Sequence, residues 1–188
     1  MNYNFLLEKD LVPDFLIRMG IRKLLRQRLK DENKGSAEAN KKHLLDLIEE
    51  LKSFPIAIDT RAANEQHYEV PTEFYQLCLG KHLKYSSGYY KEGITDLNTA
   101  ERDMLELTCQ RAELNDGQEV LELGCGWGSL SLFMSAKFPK STFTVVSNSK
   151  TQKIHIDGQA KQRGSSNLTV ITADINSFST DKKFDRVV

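Results

Sequence analysis

The chain has 188 residues, 26 Lys+Arg against 26 Asp+Glu, a formal net charge of zero and 39% hydrophobic residues. That length suits one domain with an appendage, the balanced charge argues against a nucleic-acid partner, and no apolar run is long enough to span a bilayer. Three cysteines, Cys78, Cys109 and Cys125, follow neither metal-ligand nor disulfide spacing, which fits a reducing cytoplasm.

The opening MNYNFLLEKD lacks a basic segment followed by a long apolar core, so no secretory signal is expected. Residues 11–30 predict a basic amphipathic helix. Pro13 suits its first turn, and Ile17, Ile21, Leu24 and Leu25 share one face. Such a helix can meet anionic lipid. With Asp14 and Asp31 on the same segment, packing on the body of the protein is the expectation. A polar loop at 31–40 leads to a second amphipathic helix over 37–53, and Pro55 lies just past its end.

Residues 56–93 are the most aromatic part, with Tyr68, Phe74, Tyr75, Tyr85, Tyr89 and Tyr90. Aromatics this dense beside Ser86-Ser87-Gly88 suit a lid or substrate wall. Phe74 and Leu77 are expected as core contacts of a short helix at 71–79. The lone histidines His67 and His82 suit structural roles better than catalytic ones. Domains are expected at 1–94, a helical extension with a covering segment, and 95–188, the core.

Asn98 to Glu101 reads as a capping box opening a helix over about 99–114. Asn115-Asp116-Gly117 then turns the chain into VLELGCGWGSLS, residues 120–131. Val120, Leu121 and Leu123 suit a buried strand. Gly124, Gly126 and Gly128 follow at alternate positions, and Leu130 to Met134 suits a helix. Strand, glycine turn, helix is the nucleoside cradle of doubly wound α/β folds. Glycine tolerates positive φ and lets a ligand approach the main chain. The helix start favours an anionic group, and the Glu122 carboxylate could reach ligand donors. Cys125 reads as a small filler of tight space.

Helix 128–138, strand 142–147, a helix from Ser149 to about Arg163, a strand from Leu168 ending at Asp174 and a last strand over 184–188 complete the pattern. The interior Gly158 costs that helix about 1 kcal/mol relative to alanine. A nicotinamide site wants G-x-G-x-x-G and an acid about 20 residues on. Here the third glycine comes one residue early and the second strand ends in Ser147-Asn148-Ser149, so NAD is disfavoured. Asn148 and Gln152 stand at the carboxyl edge, where amides can meet ribose hydroxyls, and Asn148 or Ser149 can also cap the helix. Asp174, on the same edge, can accept from an adenine amine or cap the turn after it. Asp185 starts the last strand and reads as structural.

ELGCGWG followed by SNSKTQ resembles the cyclopropane-fatty-acid-synthase-like branch of class I S-adenosylmethionine (SAM) methyltransferases. VPDFLIRMGIRKLLRQRL, LGKHLKYSSGYY and the ADI at 173–175 are most similar to coclaurine-type N-methyltransferases, and the resemblance covers nearly the whole chain. It implies a Rossmann-like sheet, here incomplete at about four strands, behind an α-helical extension. It implies SAM as cofactor and S-adenosylhomocysteine (SAH) as product. It assigns cofactor contacts to Tyr85, Ser86, Glu122, Gly124, Cys125, Gly126, Gly128, Asn148, Ser149, Gln152, Asp174 and Ile175, with no metal. Where cyclopropane synthases resemble Tyr-Ser-Cys, this chain has Ser87, which favours an amine over a lipid alkene as acceptor. A small-molecule acceptor is implied, and a homodimer is compatible. The family's catalytic motif would begin beyond Val188, so no residue here is assigned a catalytic role. Cyclopropanation of acyl chains, or a truncated SAM-binding fragment without activity, stand as the alternatives.

Overall fold

A computed structural model describes residues 4–58 and 71–188; His67 and Tyr68 lie outside them. The chain forms two compact units, Met1–Phe54 and Pro55–Val188.

The first unit holds α1 (Asn4–Glu8), α2 (Asp14–Glu32) and α3 (Ala37–Leu51). Pro13 precedes α2, and the Ser36 hydroxyl caps α3 by accepting from the Ala39 N–H at 3.1 Å. Such a cap contributes about 1 kcal/mol. Neither α2 nor α3 has a buried residue, and Leu24 is 71% exposed. The apolar face read from the sequence is thus not enclosed within the first unit.

The second unit contains α4 (Thr72–Cys78), α5 (Leu97–Arg111), β1 (Glu119–Leu123), α6 (Ser129–Lys137), β2 (Thr142–Ser147), α7 (Lys150–Gln162), β3 (Leu168–Thr172) and β4 (Arg186–Val187). The four strands form one parallel sheet in the order β3-β2-β1-β4. β1 registers Val120 against Phe143 and Glu122 against Val145, and β2 registers Val145 against Val170. Val120, Phe143, Val145 and Val170 therefore lie on one face of the sheet. They join Leu132, Met134 and Phe138 of the α6 region and Ile156 and Ala160 of α7 in the core. Leu121 and Val146 are buried on the opposite face. Burial on both faces is why these strands read as apolar runs rather than alternating ones. β1 to β3 wind one way and β4 returns to the other side of β1. That reversal opens a crevice at the carboxyl ends of the strands.

Three expectations change. The capping box does not form. α5 starts at Leu97, with the Asp96 carboxylate accepting from the Thr99 N–H at 2.8 Å. Glu101 and Asn98 instead reach across the chain. Glu101 accepts from the N–H groups of Gly80 (2.9 Å) and His82 (3.0 Å), and Asn98 from that of Lys81 (2.7 Å). Phe74 and Leu77 are not core contacts. On a helix of seven residues only Tyr75 is buried, against Trp127, and Leu77 is 87% exposed on the far side. Segment 71–94, grouped from sequence with the helical extension, packs on the core through Tyr75 and the Glu101 clamp. Asp185 is structural as expected, its carboxylate accepting from the Glu119 N–H at 2.8 Å. Gly158 has open space around it, and nothing in the structure explains it.

Candidate functional site

The glycine turn is built from the end of β1. The N–H groups of Gly124 and Cys125 both donate to the Val146 carbonyl (2.9 and 3.1 Å), and the Gly128 N–H donates to the Cys125 carbonyl at 2.9 Å. Gly124, Gly126 and Gly128 take φ of 82°, 52° and 77°, the left-handed region where a side chain is strained. Their surroundings differ. A Cβ on Gly124 or Gly126 would meet nothing within 4 Å, whereas one on Gly128 would lie 2.6 Å from Ile156 Cγ1. The first two leave the main chain open to a ligand; the third lets α6 pack on α7.

Two cavities meet at Gly124 and Gly126. One, of about 160 Å³, is bounded by Ser147, Asn148, Gln152, Ala173 and Ile175. Gln152 is 2% exposed; its Oε1 accepts from the Ser147 hydroxyl at 2.6 Å, and its Nε2 has no partner. A buried amide N–H without an acceptor costs about 1–3 kcal/mol, a cost that an acceptor on a ligand would relieve. The S-x-S-x-x-Q spacing produces this locally. Ser149 caps α7 by accepting from the Gln152 N–H at 3.3 Å, which sets Gln152 in the first turn facing Ser147.

The second cavity, of about 310 Å³, is bounded by Tyr85, Ser86, Glu122, Cys125, Trp127 and Ser129 among others. Glu122 is buried and accepts from the Ser131 hydroxyl at 2.5 Å. Burial pushes its carboxyl up to about 7, and the Ser131 hydrogen bond limits the rise. An ammonium group placed there would favour the carboxylate form. Burial raises the Cys125 thiol to about 12, with the nearby Glu122 adding to the rise. A buried thiol held in its protonated form suits a small filler of tight space better than a nucleophile. Tyr85 is half exposed and meets Tyr75 edge-on at a centroid distance of 5.2 Å, while Lys84 hydrogen-bonds the Ser86 hydroxyl.

Of the residues named from sequence, Tyr85, Ser86, Glu122, Cys125, Asn148, Gln152, Ile175 and the first two glycines border these cavities. Gly128, Ser149 and Asp174 do not. Gly128 packs on Ile156, Ser149 caps α7, and Asp174 accepts from the Asn176 N–H at 2.8 Å. Sequence reasoning does not single out Ser129 and Ser131 in the first turn of α6. The Ser129 hydroxyl is buried without a partner beside the second cavity, and Ser131 holds Glu122. Two hydroxyls directly after a glycine turn are the available signal. Among the described residues no cluster of three His, Cys, Asp or Glu could hold a metal, and no helix is long and apolar enough to cross a membrane.

The chain is similar to known proteins over most of its length. The family model for mycolic acid cyclopropane synthetase matches residues 57–188. The (S)-coclaurine N-methyltransferase of Papaver somniferum is 40% identical over 181 residues, which is 96% of this chain and 52% of that protein. Its counterpart in Thalictrum flavum subsp. glaucum is 39% identical, over 97% of this chain and 50% of that one. A crystal structure of coclaurine N-methyltransferase bound to N-methylheliamine and SAH superposes with a TM-score of 0.91 at 37% identity, covering 97% of this chain and 52% of its own. The chain spans about half the length of the curated relatives it matches.

Proposed function

The chain belongs to the mycolic acid cyclopropane synthetase family, and on that premise we propose that it is a SAM-dependent methyltransferase acting on the nitrogen of a small-molecule amine. The observation that carries the cofactor reading is the buried Gln152 Nε2 without a partner, bordering a cleft whose other wall is the open main chain at Gly124 and Gly126. Gln152 would donate to the ribose, Glu122 would accept from the ammonium of the methionine end, and Tyr85 and Ser86 would wall the sulfur side. SAM supplies an electrophilic sulfonium methyl. The chain's own contribution is to hold that end of the cleft fixed, so that a neutral amine nitrogen meets the methyl in line.

The choice of nitrogen over a lipid alkene rests on the relatives named above, which are N-methyltransferases at 39–40% identity, and on Ser87 in the Tyr-Ser-Ser run. The cytoplasm is the proposed compartment, because all three cysteines are free and two of them are buried. A homodimer would show as a doubled mass in light scattering. The decisive experiment offers the protein SAM with coclaurine or heliamine in parallel with unsaturated phospholipid, and follows the products by mass spectrometry. N-methylation of the amine supports the proposal. Methylation or cyclopropanation of the lipid alone would replace it with the acyl-chain reading.

A further inference from the structure

Behind the glycine turn lies a third cavity, of about 260 Å³, which shares Trp127 with the cofactor cleft but opens between the 79–83 loop and α7. Its polar lining is one-sided. Lys81 and Arg163 supply cations, Gln76, His82, His155 and Gln159 supply neutral polar groups, and among the described residues no acid borders it. Neither cation forms a salt bridge among the described residues, although Asp96 feels the charge of Lys81; the Arg163 guanidinium donates to the Gln159 amide oxygen at 3.3 Å. Two residues of this lining carry buried polar atoms that lack partners. The Trp127 indole, 1% exposed, has an N–H with no acceptor, and His82 Nε2 is buried and unbonded. Indole nitrogen can only donate, and so can the ammonium and guanidinium. A lining rich in donors, with two cations and no bordering acid among the described residues, is complementary to an anion.

The imidazoles are in keeping with this. Burial first, and then Lys81, Arg163 and Arg102, hold His82 below its ordinary value against the opposing pull of Glu101. Burial and Arg163 do the same to His155. The Glu101 carboxylate is buried, does not border the cavity and is engaged by the backbone N–H groups of Gly80 and His82. Trp127 stands between His155, edge-on at 5.6 Å, and Tyr75 at 4.8 Å. An occupant of this cavity therefore touches the residue between Gly126 and Gly128.

We propose that this cavity, walled by Trp127, His82 and His155 and rimmed by Lys81 and Arg163, is a second binding site, distinct from the cofactor cleft, for a phosphate-class oxyanion. The ligand is free phosphate or a small phosphate monoester. Trp127 is the sole tryptophan of the chain, so its emission reports occupancy of either cavity it borders, and substitution of Lys81 and Arg163 assigns the change to this one. The test is a titration of the intact chain with inorganic phosphate, and separately with glycerol 3-phosphate. Sodium chloride at matched ionic strength is the reference, and both emission and calorimetric heat are read. The expected result is saturation at millimolar or lower concentration by phosphate or monoester but not by chloride. The doubly substituted Lys81→Gln/Arg163→Gln chain should bind about tenfold more weakly with its thermal melting unchanged. Tighter binding of the monoester would assign the remaining volume to its organic group, and equal binding would assign the site to the free anion. Absence of saturation by either ligand, or saturation that the double substitution leaves unaltered, overturns the proposal.

Discussion

The two ends of one glycine turn do different work. At Gly124 and Gly126 an added Cβ would point into empty space, while at Gly128 it would strike Ile156 at 2.6 Å. All three have positive φ, so backbone strain alone would make them equivalent. Their surroundings separate them: the first pair borders an open cleft, and the third closes α6 onto α7. Spacing in the sequence marks a turn but not this division, because Ile156 lies far along the chain from Gly128, on the next helix.

Substitution at the packed end should do the most damage. Gly128→Ala combines left-handed strain with a clash in the core, and a loss of about 3 kcal/mol is expected. In a chain of this size that lowers the melting temperature by about 10 °C, read by thermal circular dichroism. An unaltered melting curve would break the contrast between the two ends. At the open end, Gly126→Val places a branched side chain in the cleft. SAH affinity should fall about 100-fold while melting falls less than in Gly128→Ala, since only the strain term applies.

Next in size is Gln152→Ala. It removes the unpartnered buried amide donor of the first cavity, and SAH should bind about tenfold more weakly, measured by calorimetry. The smallest effect is a pH dependence. Burial holds Glu122 at about 7 in the free chain, and the ammonium of SAH favours its ionised form. Binding therefore expels a proton, is weakest below pH 7 and levels off above it. The gain from pH 6 to pH 8 should approach about tenfold at most. Glu122→Gln should flatten this profile, and a profile that stays sloped would remove Glu122 from the ammonium's contacts.

Much of this is legible in the sequence. The order and bounds of β1, β2 and β3 follow from apolar runs between turn residues, and the glycine turn follows from its spacing. S-x-S-x-x-Q locates Gln152, though not its orphan nitrogen. What stays hidden depends on partners far along the chain. Glu101 looks like a local capping residue because Asn98 stands three positions before it; it serves instead to pin Gly80 and His82, about 20 residues upstream. Phe74 and Leu77 look like core because they are apolar, yet a helix this short has one inward face, taken by Tyr75. Ser131 gives no signal of its own until the fold of β1 onto α6 brings Glu122 beside it.

The cleft's capacity to hold the cofactor product is tested most directly by calorimetric titration of the 188-residue chain with SAH. Saturable one-to-one binding is expected, cut about 100-fold by Gly126→Val in a chain that still melts cooperatively. A cooperatively folded wild-type chain that gives no binding heat with SAH, or a Gly126→Val chain that binds as tightly as wild type, would contradict the assignment of this turn as the cofactor cradle.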